Sequence, residues 1–85
     1  MEEVEIGVIS DFFARPVVAG ITLSAQLKVG DTIRIAGHTT NMEVPVNSMQ
    51  IHNQEVATAK AGDEIGIKVP DRVRRGDRVF LVNKD

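Results

Sequence analysis

The sequence predicts an all-β protein, a small closed barrel of about six strands, and three observations carry that expectation. Apolar residues recur at every second position in several short runs. Turn signals separate those runs, and no window holds the i, i+3, i+4, i+7 spacing of an amphipathic helix for three turns. The third observation is a repeated corner. Gly30-Asp31-Thr32-Ile33-Arg34-Ile35, Gly62-Asp63-Glu64-Ile65-Gly66-Ile67 and Gly76-Asp77-Arg78-Val79-Phe80-Leu81 share one pattern: Gly, Asp, a hydrophilic residue, then alternation. Gly tolerates positive φ and Asp can cap a turn through its side-chain oxygen, so each run reads as a strand entrance. The corners stand 32 and then 14 residues apart, which excludes a tandem repeat.

Taken in order, Val4, Ile6 and Val8 alternate with Glu3, Glu5 and Gly7 as a half-buried first strand, which Ser10-Asp11 breaks or bends. Phe12 and Phe13 are adjacent, so in an extended chain they point to opposite faces, and one of them lies outside the core. Arg15-Pro16 reads as an edge or turn. Val17 to Leu23 form the second strand, in which Gly20 marks a bulge or a close backbone approach. The third strand is Ile33 to Ala36, closed by Gly37, and residues 38–41 are an exposed connection.

Residues 42–52 alternate out of phase. Met42, Val44 and Val46 hold one parity and Met49 and Ile51 the other, which predicts one long strand with a bulge at Asn47-Ser48, and Pro45 near an edge or at that bulge. His52 to Glu55 form a turn. Ile65, Ile67 and Val69 form an inward row. Val79 to Val82 are apolar on both faces, as expected of a strand flanked on both sides or of one that closes a barrel.

The 85 residues accommodate one domain, 1–85. Without Cys there is neither a disulfide nor a thiolate zinc site. The acidic start is unlike a signal peptide, and no apolar run approaches the roughly 20 residues of a membrane helix. The expectation is a cytoplasmic chain that meets no membrane. No phosphate-binding Gly-Lys-Ser/Thr loop is present, so no nucleotide is bound in that manner. His38 and His52 lack ligand-spaced carboxylates, and Ser10, Ser24 and Ser48 lie in no nucleophile context. These readings give a non-enzyme with no cofactor and no metal.

Charge offers the remaining signal. Net charge is −2, yet residues 1–67 hold four basic and nine acidic side chains, whereas residues 68–85 hold six basic and three acidic ones. Basic surface is therefore concentrated near the C-terminus, in Arg72, Arg74, Arg75 and Arg78. Within Arg72-Val73-Arg74-Arg75, period 2 sets Arg75 on the face of Val73, so an Arg lies beside an apolar neighbour or on a turn. These guanidinium groups, with Arg15 and the exposed member of Phe12-Phe13, are the candidate surface for RNA or a ribonucleoprotein, or alternatively for a protein partner.

The runs Val17-Val18-Ala19-Gly20, Leu27-Lys28-Val29-Gly30-Asp31, Val46-Asn47-Ser48-Met49-Gln50-Ile51 and Ala59-Lys60-Ala61-Gly62-Asp63 resemble, in this order, the second domain of translational GTPases such as elongation factor Tu. The sequence is more similar still to stand-alone translation elongation factor-like proteins and to the C-terminal accessory domain of collagenase-like peptidases, through Thr39, Thr40, Glu43, Val46, Ser48, Met49, Gln50 and Ile51. The resemblance implies a closed Greek-key barrel of the translation-protein type, without the GTPase domain. It implies a non-catalytic module that binds RNA in a translation-related role or, alternatively, an accessory subunit that docks onto a separate enzyme such as such a peptidase. Ala19 stands where the factor has Thr, and Phe12-Phe13-Ala14-Arg15-Pro16 replaces its Gly-rich approach.

Overall fold

The computed structural model describes residues 2–83. Its longest element is the opening strand, β1 (Glu2–Ala14), which hairpins through Arg15-Pro16 into β2 (Val17–Leu23). There follow β3 (Leu27–Lys28), β4 (Thr32–Ala36), β5 (Asn41–Pro45), β6 (Met49–Ile51), β7 (Gln54–Val56), β8 (Thr58–Ala59), β9 (Glu64–Lys68) and β10 (Arg78–Asn83). Among the described residues there is no helix, as the period-2 alternation requires.

Eight strands form one antiparallel sheet in the order β5-β4-β10-β1-β2-β9-β6-β7, and β3 pairs with β8 in a separate ribbon. The strands nearest the two ends of the sequence are neighbours at its centre: Glu3 faces Val82 and Val4 faces Leu81. β10 lies between β1 and β4; Val79 is in the core with Leu81 packed against it, while on the opposite face the Phe80 ring lies under the Arg34 guanidinium.

This topology corrects the expected closed barrel of about six strands. The ladder does not close on itself; β5 and β7 remain its edges. The cause lies in residues 42–52, which do not form one bulged strand. β5 pairs with β4 at one edge and β6 pairs with β7 and β9 at the other, so the change of parity marks a crossing through Val46-Asn47-Ser48. Pro45, on edge strand β5, removes no ladder bond that the sheet needs. Single backbone bonds bridge the gap: Val46 N–H donates to Asp31 O and Gly30 N–H to Val46 O, both at 2.9 Å, and Val29 N–H donates to Ala57 O at 2.9 Å.

The sheet and ribbon wrap one aliphatic cluster. Ile6, Ile9, Ile21, Leu27, Ile33 and Ile35 are among its fully buried side chains, joined by Met49, Ile67, Val73 and Val79. Ser10-Asp11 does not end β1. The register slips between Ile9 and Asp11, so the chain absorbs an extra residue opposite Ile21-Gly20 and continues.

All three Gly-Asp corners adopt the same turn. Gly30, Gly62 and Gly76 have φ of 102°, 94° and 90°, where a Cβ would be strained. The Asp N–H donates to the carbonyl three residues earlier, from Asp31 to Lys28, Asp63 to Lys60 and Asp77 to Arg74. Each carboxylate in turn accepts from the N–H of that earlier residue at 3.0 Å.

Candidate functional site

The β1–β2 hairpin carries the two adjacent phenylalanines, and its pairing separates them. Phe12 faces Ala19 and packs against the core, whereas Phe13 faces Val18 and is 52% exposed. The hairpin is flanked by two depressions that meet at Asp11.

The smaller, of about 380 Å³, is bounded by Asp11, Phe12 and residues 72–75. Val73 is buried, and this anchor turns Arg72 and Arg74 outward beside it. Arg75 takes the second position of the Gly76-Asp77 corner, one of the two placements that period 2 left open, and its Nη2 donates to Asp11 Oδ1 at 3.2 Å. Asp11 also accepts from the Phe12 N–H at 2.8 Å. That backbone bond first, and Arg75 second, hold the Asp11 carboxyl below the usual carboxylate range.

The larger, of about 580 Å³, is a trench across the outer face of β1, β2, β9 and β6. Register aligns Asp11, Gly20, Gly66 and Gln50 across the four strands, so two glycines side by side form its floor. Phe13, Arg15 and Val18 line one part of the wall and Glu64 another. His52 and Asn53, at φ of 51° and 64°, make the tight turn between β6 and β7 and close one end.

The expected residues thus divide. Phe12, Arg72, Arg74 and Arg75 share the basic depression, and Phe13 and Arg15 belong to the trench. Arg78 joins neither; it lies on β10, where its Nη1 donates to Glu5 Oε1 at 3.2 Å. Reading the sequence missed the trench. Its linear signals were two strand glycines, Gly20 within β2 and Gly66 alternating with buried Ile65 and Ile67. Among the described residues, no three His, Asp or Glu side chains gather at metal-binding spacing.

An all-β module with two surface depressions on one hairpin is the class that this geometry defines, and known proteins share its fold. No family profile matches the chain. It is 45% identical over 83 residues to an uncharacterized protease of Methanocaldococcus jannaschii, covering 96% of this chain and 20% of that protein. It is 33% identical over 66 residues to the selenocysteine-specific elongation factor of Escherichia coli, covering 72% of this chain and 10% of the factor. The chain therefore spans a fifth or less of the curated relatives it matches. Among solved structures, the C-terminal domain of a protein from Geobacillus thermoleovorans assigned to the U32 peptidases superposes with a TM-score of 0.85 at 14% identity, covering 92% of this chain and 91% of that domain. The selenomethionine form of the same domain gives 0.85 at 13% identity, over 89% and 96%.

Proposed function

We propose that this chain is an accessory β-domain of a U32-type peptidase and acts by docking, with no catalysis of its own. The observation that carries the reading is the 45% identity over 83 residues to a protease five times its length, joined to the fold of a peptidase C-terminal domain. The docking surface is the hairpin and the basic depression beside it. Arg72 and Arg74 offer guanidinium groups to carboxylates of the peptidase body, with Phe12 and Val73 as the apolar base.

A second reading, binding of RNA in a translation-related role, draws on the 33% identity to the elongation factor. The charge pattern weighs against it. Arg75 and Arg78 are each paired with a carboxylate, and a chain of net charge −2 has little long-range pull on phosphates.

The test mixes the chain with the M. jannaschii protease from which the matching region has been deleted, with and without RNase, and follows co-elution. Binding that survives RNase and weakens with Arg72→Ala and Arg74→Ala together supports docking. Separate elution of chain and protease body, or capture of RNase-sensitive material alone, overturns it.

A further inference from the structure

The glycine floor of the trench is not required by the fold at both positions. A Cβ on Gly20 would meet Asp11 Cβ at 3.2 Å, tighter than ordinary contact. A Cβ on Gly66 would meet nothing nearer than Val18 Cγ1 at 3.4 Å, and its φ lies outside the left-handed region. Strands disfavour glycine, so an internal strand residue that could be larger and is not leaves a space for something else. The closing turn points the same way. His52 and Asn53 both take positive φ where glycine is usual at the second position, and so present two polar side chains to the trench.

We propose that the trench binds an extended peptide segment whose bulky apolar side chain rests on Gly20 and Gly66 against Phe13. The chemistry of the walls selects this class. Gln50 and Asn53 carry primary amides, each both donor and acceptor, which match the N–H and C=O groups of a peptide backbone. Phe13 and Val18 supply an apolar wall beside the glycine floor. A phosphate backbone is poorly served. Arg15 is the one cation among the lining residues, against the carboxylates of Asp11 and Glu64. The identity of the peptide as a substrate segment rests on the accessory-domain reading; binding of a peptide does not.

The test is ¹H–¹⁵N NMR of the chain titrated with N-acetylated, C-amidated Gly-Gly-Phe-Gly-Gly, with the same peptide carrying a central Ala, and with a short oligoadenylate. Expected are saturable shifts of the Gly20 and Gly66 amides and of the Gln50 and Asn53 side-chain NH₂ groups with the Phe peptide. Affinity for the Ala peptide should be at least about tenfold lower, the scale of burying an aromatic ring. Gly66→Val should abolish the shifts, and Gln50→Ala, at an exposed side chain that leaves the core untouched, should weaken binding. Phe-peptide shifts that miss the trench, indifference to both substitutions, or trench shifts produced by oligoadenylate alone would overturn the proposal. Since the docking test uses the deleted protease and this one uses peptides, either reading can fail while the other stands.

Discussion

Arg74 and Asp77 hold each other twice: the Arg74 N–H donates to Asp77 Oδ2 at 3.0 Å, and the Asp77 N–H donates to the Arg74 carbonyl at 3.0 Å. The pairs Lys28/Asp31 and Lys60/Asp63 repeat the arrangement, but Asp77 alone of the three aspartates is buried. Loss of a buried acceptor leaves a donor without water to replace it. Asp77→Ala should therefore cost about 2–3 kcal/mol in urea unfolding, against about 1 kcal/mol for Asp31→Ala or Asp63→Ala. Equal losses at the three corners would contradict the role of burial.

Gly37 lies against the same carboxylate, with a Cβ placed there falling directly on Asp77 Oδ1. Gly37→Ala should destabilise by about 1–3 kcal/mol through that overlap. Combined with Asp77→Ala, its cost should shrink, because the obstructing group is gone; a double-mutant cycle measures the coupling. Additive losses would place the strain elsewhere.

Across the outer face, Arg34 Nε donates to both carboxylate oxygens of Glu3, at 2.8 and 3.0 Å, its Nη1 reaches Asn41 Oδ1 at 3.1 Å, and its guanidinium lies 5.2 Å from the centre of the Phe80 ring. Lys has no planar fork to reproduce this set. Arg34→Lys should lower the thermal midpoint, and the difference from wild type should narrow at about 1 M salt, where ion pairing on a surface is screened.

Asp11 provides a pH prediction. Its folded-state carboxyl is held below the ordinary value of about 3.9 by the Phe12 N–H and then by Arg75. A depressed carboxyl stabilises the fold above its unfolded value, and that contribution disappears as pH falls through the folded value, hence below about pH 4. NMR titration of the Asp11 carboxyl should give a low midpoint that Arg75→Ala raises only in part, since the backbone donor remains. Full return to the ordinary value would assign the shift to Arg75 alone.

Much of the fold was legible because local rules fixed it. The Gly-Asp corners and the opposite facing of Phe12 and Phe13 follow from turn chemistry and period 2, and Pro45 took the edge, one of the two places that its missing N–H left open. The error at residues 42–52 has a physical origin: a parity switch looks the same whether a strand bulges or leaves one edge of a sheet for the other, and only non-local pairing separates the two. The basic depression was readable as a run of Arg. The trench was not, since its floor joins Gly20 to Gly66 and its wall joins Phe13 to Gln50 across four strands, and no linear pattern records that alignment.

The central pairing of Glu3 with Val82 and of Val4 with Leu81 also constrains how the molecule is born. During synthesis the first strand must wait, unpaired along one flank, until Leu81 and Val82 have left the ribosome. Closing so long a loop is entropically slow, so the sheet should assemble only once β10 has emerged, and leisurely for so few residues.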